Sequence, residues 1–303
     1  MLYVLIVLLL AVLTVLQIIA KKCLDLIIRP VRHSEEEIIK GETDDGFADS
    51  IERYEKEWKR EDFTLDCQGA VISGEIIENP KAKGNRVAIV CHGHTVNRYT
   101  SLKYADIFYN EGCHVVIYDE RYFGRSTGDF CTLGQEETKD LLKVYEMVKE
   151  RFPGCRIVLH GESMGAATVL LSLRYIKPDA VVADCPFCDS ERLFREYIRR
   201  NMSIPEILVI PLLEFMARVK YHYDIRKTSP IAAVRESDVP ICLMHGTVDT
   251  LIVCDHSEEL YKVCRNPLSQ LNLFEGARHA SSITVDRKRY IKLVHDFLKA
   301  CDF

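Results

Sequence analysis

A mostly parallel β-sheet with helices on both faces is what the sequence predicts, and three observations predict it. From Pro80 onward, short apolar runs rich in β-branched residues alternate with helical patterns, the order that generates strand–helix–strand crossovers. One run, Ile157 to Leu159, ends in Gly161-Glu-Ser163-Met-Gly165 and leads straight into Ala166-Ala167-Thr168-Val169, so the chain passes from strand through a sharp turn to helix. Two later runs end in loops that hold an aspartate, Asp249, and a histidine, His279. With 303 residues, 48% of them hydrophobic, the chain can bury one large core.

The elements follow in chain order. Leu2 to Ala20 carries no charge and is interrupted only by Thr14 and Gln17; as a helix it spans about 28 Å, enough for a bilayer core. Its positive charges, Lys21, Lys22, Arg29 and Arg32, follow the apolar run rather than precede it. That order reads as an uncleaved single-pass anchor, not a signal peptide, with the bulk of the chain on the cytoplasmic side. From Pro30 to Asp45 the composition turns to charge, including Glu35-Glu36-Glu37, and a solvated linker is expected. Phe47, Ile51, Tyr54 and Trp58 then recur at helical spacing, a stripe for packing. Phe63–Asp66 and Ala70–Glu78, parted at Gln68-Gly69, predict an antiparallel pair at one edge of the sheet.

Beyond them the pattern predicts strands at Val87–Cys91, Val115–Tyr118, Ile157 onward, Ala180–Ala183, Pro240–Met244 and Leu271–Phe274. Helices are expected over Leu102–Glu111, Glu136–Arg151, the stretch after Gly165, and Asp286–Lys299. Between Asp189 and Glu236 the alternation stops and a very apolar helical stretch, Ile204 to Met216, intervenes. An insertion there would sit over the strand C-termini, where ligands of α/β sheets bind. The expected organisation is an anchor over 1–22, linker and amphipathic helix over 23–60, and one sheet domain over 61–303 with a cap at about 189–236.

Composition excludes several classes. A net charge of -5 without a long basic run gives no electrostatic case for nucleic acid. The twelve cysteines, many inside apolar strand patterns, read as buried thiols in a reducing compartment. One C-x-x-C, Cys185 to Cys188, lacks the second ligand pair of a zinc site.

The chemistry rests on G-x-S-x-G. Glycines two residues either side of Ser163 let the backbone double back and present its hydroxyl at the tip of the turn. A serine hydroxyl is a poor nucleophile at neutral pH and needs a base and an acid that orients it. His279, after Phe274-Glu-Gly-Ala-Arg, is the expected base. Asp249, three residues past the His245-Gly246 that ends its strand, is the expected acid; Asp184 and Asp255 are the rivals. His160, His245 and His256 are expected to be structural. An oxyanion hole requires preorganised N–H donors, and the backbone N–H groups of Met164 and His94 are the expected pair. His92 and His94 lack a third ligand that would make them a metal site. No cofactor or metal is called for.

Five segments together resemble the α/β-hydrolase superfamily, in its bacterial serine-aminopeptidase-like and monoacylglycerol-lipase-like group. They are Cys91-His-Gly-His-Thr95, Tyr118-Asp-Glu-Arg-Tyr-Phe-Gly-Arg-Ser126, Gly161-Glu-Ser-Met-Gly165, Val239-Pro-Ile-Cys-Leu-Met-His-Gly-Thr-Val-Asp249 and Gly276-Ala-Arg-His279. They cover residues 63 to 300; the anchor lies outside. The group usually carries Arg-Gly where this chain has Arg121-Tyr122, a departure at a structural turn. The resemblance implies an α/β-hydrolase fold and a serine, aspartate and histidine triad, and is poorly specific for substrate. With the anchor read separately, the expectation is a membrane-anchored serine hydrolase acting through an acyl-enzyme on carboxylic esters, acyl or lipid-like, with thioesters and amides left open. A serine peptidase is the alternative, which would need an acidic group such as Glu191, Glu196, Glu206 or Glu214 to receive a free amine. A non-catalytic scaffold is the third reading. The apolar stretch 204–216 has three readings: walls for an acyl chain, through Leu208 and Leu212, a second contact with the bilayer, or a cap helix packed on other cap helices.

Overall fold

The computed structural model describes residues 1–303 apart from Lys83 and Ser203. In chain order the helices before the sheet are α1 (Leu2–Ile28), α2 (Glu35–Glu42) and α3 (Ala48–Lys56). The edge hairpin β1 (Lys59–Cys67) and β2 (Ala70–Glu78) comes next, then β3 (Arg86–Cys91), α4 (Leu102–Asn110), β4 (His114–Tyr118), α5 (Gln135–Arg151), β5 (Arg156–Glu162), α6 (Met164–Ser172) and β6 (Ala180–Asp184). The inserted helices are α7 (Ser190–Asn201), α8 (Glu206–Tyr221) and α9 (Pro230–Arg235). The chain closes with β7 (Ile241–Gly246), α10 (Asp255–Val263), β8 (Gln270–Phe274), α11 (Ser282–Val285) and α12 (Arg287–Ala300).

The eight strands form one sheet in the order β1-β2-β4-β3-β5-β6-β7-β8. β1 and β2 pair antiparallel, β2 lies antiparallel to β4, and every later pairing is parallel. Alternation along each strand divides the core. Ala88, Val90, Val115, Ile117 and Val158 face a layer built with α3, α4 and α12. Val87, Ile89, Val116, Ile157 and Leu159 face one built with α5, α6 and α10. Period-2 burial on both faces is what a doubly covered parallel sheet requires. It leaves the C-terminal ends of β3, β5, β6, β7 and β8 along one rim, under α7 and α8.

Two expectations about the N-terminal region are corrected. Helix α1 does not end near Lys22 but continues to Ile28, and Ala20, Cys23, Leu24 and Ile28 are buried in a third cluster with Phe194, Val209, Ile210 and Leu213 of α7 and α8. Its last residue and the two that follow are tied down by polar bonds. The Ile28 carbonyl accepts from Cys131 N–H at 2.9 Å and that of Pro30 from the Tyr122 hydroxyl at 3.0 Å. Arg29 donates to the Asp129 carbonyl at 3.1 Å.

The charged stretch expected to be a solvated linker contains α2, opened by a capping box in which Ser34 and Glu37 satisfy each other's backbone N–H groups. Ile38 joins the core. Glu42 is buried against Lys103 Nζ at 3.1 Å, and the same ammonium lies 3.3 Å from Glu162 beside the nucleophile turn. Burial and the nearby Glu162 raise the Glu42 carboxyl to about 7, against the pull of Lys103. Pairing, rather than hydration, is what lets these charges sit inside.

Candidate active site

Strand β5 runs into α6 with one residue, Ser163, between them. The turn is tight for reasons of contact. A Cβ on Gly161 would lie 2.3 Å from the Gly165 carbonyl, and one on Gly165 would lie 2.3 Å from the Cys91 carbonyl oxygen. The positive φ of the turn falls on the serine itself, at 55°, a strained conformation for a residue with a side chain. Its backbone N–H is held by the Asp184 carbonyl at 2.8 Å, so the neighbouring strand fixes the turn. Glu162 is fixed as well, accepting the Tyr104 hydroxyl at 2.6 Å.

Ser163, His279 and Asp249 come together from three loops. Ser163 Oγ lies 2.8 Å from His279 Nε2, and His279 Nδ1 lies 2.7 Å from Asp249 Oδ2. A carboxylate oxygen only accepts, so Nδ1 carries the hydrogen and Nε2 presents a lone pair to the serine hydroxyl. The other carboxylate oxygen, Oδ1, accepts the N–H groups of Leu251 at 2.8 Å and Ile252 at 2.9 Å. Burial opposes the charge on Asp249, but hydrogen bonds from His245 and His279 outweigh it and hold the carboxyl well below the usual range. Such a line can remove a proton from the hydroxyl as it attacks and stabilise the imidazolium that forms.

His94 and Met164 stand with Ser163 on the wall of one cavity of about 270 Å³. Met164 is the first residue of α6, where a helix leaves its N–H groups without intrahelical acceptors. The His94 ring turns away and donates from Nε2 to the Ile27 carbonyl at 2.6 Å, closing one of the open carbonyls at the end of α1.

The remaining candidates lie apart from the reacting atoms. Asp184 bonds Ser282 Oγ at 3.0 Å and Tyr104 at 3.4 Å, and burial raises its carboxyl to about 6. Asp255 is exposed in the first turn of α10. His92 uses both nitrogens, accepting the Glu120 N–H at 2.8 Å and donating to the Gly93 carbonyl at 2.7 Å. His160 is buried against Tyr104 with ring centroids 4.0 Å apart, and burial with nearby Lys103 lowers it to about 3. His256 is buried beneath Cys188 and Glu196.

Two residues, His245 expected to be structural and Cys185 read only as part of a C-x-x-C, make contacts at the site that sequence reasoning did not assign. His245 Nε2 lies 3.3 Å from Asp249 Oδ2 while donating to the Ile252 carbonyl at 2.8 Å; the His-Gly at its strand end was the only signal. The Cys185 thiol lies within 4.8 Å of the facing atoms of Asp249 and His279, and burial keeps it protonated, a neutral neighbour of the carboxylate.

The cavity walls differ from those expected. Leu26 and Ile27 of α1, Leu133, Phe187, Leu193, Phe194 and Tyr197 supply the apolar surface. Leu208 and Leu212 do not line it, because the inner face of α8 packs on α1 instead. No carboxylate lines the cavity among the described residues. The four cap glutamates are each paired with arginine: Glu191 with Arg195, Glu196 with Arg192, Glu206 with Arg199 and Glu214 with Arg226, at 2.6 to 2.8 Å.

Comparison with known proteins adds to this geometry. The family model described as serine aminopeptidase, S33, matches residues 82–239. The uncharacterized protein YqkD of Bacillus subtilis is 33% identical over 271 residues, 88% of each chain. Among solved structures, the Pyrococcus furiosus esterase Pf2001 superposes with a TM-score of 0.66 at 24% identity, over 82% of this chain and 93% of that one. A bacterial membrane phospholipase A gives 0.62 at 15% identity, over 86% and 92%.

Proposed function

The chain belongs to the α/β-hydrolase superfamily, within the serine aminopeptidase S33-like family, and from that premise we propose that it is a membrane-anchored serine esterase. Ser163 is the nucleophile, His279 the general base and then acid, and Asp249 the residue that orients the imidazole. Attack of Ser163 Oγ on the ester carbonyl gives a tetrahedral intermediate whose oxyanion meets the N–H groups of His94 and Met164. Collapse expels the alcohol, protonated by His279, and leaves an acyl-enzyme. Water activated by the same imidazole then releases the acid and restores the serine.

The observation that carries the ester reading over the peptidase is the cavity. It is apolar, opens on Ser163, and among the described residues offers no carboxylate to receive an α-amino group. If an acyl chain fills it, each buried methylene contributes about 0.8 kcal/mol, or roughly fourfold in kcat/KM per carbon. For the full chain in detergent, kcat/KM on p-nitrophenyl esters should climb from acetate to medium chains. Leu193→Asp should flatten the series while leaving acetate within about threefold, and Leu208→Ser with Leu212→Ser should leave it unchanged. A preference for acetate, or faster cleavage of aminoacyl amides, returns the peptidase.

The helix α1 is long and apolar enough to cross a membrane. Burial of Cys23, Leu24 and Ile28 in the cap core supports retention of the segment, and the cations after it support a cytoplasmic domain. Protease added to intact cells should therefore leave the domain whole. Its digestion would reverse the orientation.

A further inference from the structure

Helix α8 is apolar on two faces. Val209, Ile210, Leu213, Ala217 and Tyr221 are buried toward α1 and the cap core. On the opposite side Ile207 is 70% exposed, Phe215 66% and Val219 61%, with Leu208 and Pro211 exposed between them. At 100° per residue these five fall within one third of the helix circumference, and Arg218 is the only charge among them. A helix covered on one side by protein and facing water on the other would carry polar residues there; contiguous apolar surface marks a contact.

What covers it is indicated by its neighbour. α8 packs along the end of α1, and the preceding part of α1 is an unburied apolar rod of bilayer length. The seam between the two helices is edged by cations: Arg29 lies 5.5 Å and Lys220 4.9 Å from the centre of the Tyr221 ring. Long cationic side chains around an aromatic ring suit the headgroup layer of a membrane. The same end of α1 gives Leu26 and Ile27 to the catalytic cavity.

We propose that the outer face of α8 beds in the bilayer that α1 spans, so that the cavity opens at the lipid surface and receives the acyl chain of a membrane lipid ester. The substrate part of this statement rests on the esterase reading; the membrane contact does not.

The full chain, reconstituted in phosphatidylcholine–phosphatidylglycerol vesicles, tests both. Trp58 is the single tryptophan and is buried in the sheet core, which leaves room for a reporter. Phe215→Trp, and separately Leu208→Trp, should add emission that falls by at least half when the lipids carry brominated acyl chains. Ile291→Trp on α12 should add emission that does not. Unquenched emission from both α8 reporters overturns the contact, whether the face meets water or a second copy of the chain. Ile207→Ser with Phe215→Ser should slow hydrolysis of a vesicle-embedded phospholipid ester by about tenfold and leave a soluble short-chain ester unaffected. Equal loss on both substrates would overturn the lipid-entry role. Failure of the esterase reading would remove both activities and leave quenching intact.

Discussion

Ser163→Ala should abolish labelling by a fluorophosphonate probe and lower ester turnover by roughly four to six decades, because loss of the nucleophile leaves only binding and oxyanion stabilisation. The protein should otherwise be unperturbed: the small alanine side chain keeps the turn, and the backbone bond to Asp184 does not involve the hydroxyl. Asp249→Asn should fold and yet lose about four decades, since an amide NH₂ facing Nδ1 favours the wrong imidazole tautomer. Asp184→Asn, whose carboxyl touches Ser282 and Tyr104 rather than His279, should stay within about tenfold of the parent. Measured kcat/KM on one ester, together with near-ultraviolet dichroism to report folding, separates these cases. Activity surviving in Ser163→Ala would end the serine mechanism. A reversal of the two aspartate results would move the acid.

The second large effect is on folding. Gly165→Ala adds one carbon where the Cys91 carbonyl oxygen would stand 2.3 Å away and the His92 carbonyl oxygen 2.6 Å away. Both obstacles are backbone, at the last residue of the central strand β3 and the residue after it, so no rotamer change relieves the overlap. A loss of more than about 4 kcal/mol is expected, large enough for the variant to be recovered unfolded or not at all. Gly41→Ala provides the contrast. It lies within α2 with nothing within 4 Å of the added carbon, and should gain up to about 1 kcal/mol from helix propensity. Thermal melts of the two variants make the comparison. A near-parental melting temperature for Gly165→Ala would mean that α6 does not pack on β3 this closely.

The sheet was legible because its strands are short apolar runs separated by helices of the expected period, a pattern that survives without any knowledge of partners. Ser163, Asp249 and His279 could be chosen because each ends a strand in a recognisable loop. Their order along the chain narrowed the choice. The helix α2 was hidden by composition: three consecutive glutamates suggest solvent, although Ser34 followed by Glu37 is a helix-start signature that could have been read. The walls of the cavity were not legible at all. A helix such as α8, apolar around most of its circumference, does not say which side faces inward until its partner is known, and that partner is far away along the chain in α1: Tyr221 and Asp25, which bond across the pair, are 196 residues apart. Nor does an apolar N-terminal run distinguish the turns that stay exposed from those that pack on protein.

The unbroken passage of α1 from its exposed apolar rod to Leu26 and Ile27 beside the serine has a geometric consequence. A domain on a flexible leash samples every tilt and reaches its substrate by chance encounters within the volume the leash allows. Here the helix runs unbroken to Ile28, and residues 28 to 30 are pinned by bonds to Cys131, Asp129 and Tyr122. On the proposed anchoring, the rod would act as an axle that sets the tilt and height of Ser163 above the leaflet. Catalysis on the proposed lipid ester would then be a search in two dimensions, governed by how densely the ester is packed in the surrounding leaflet and not by its concentration in the aqueous volume.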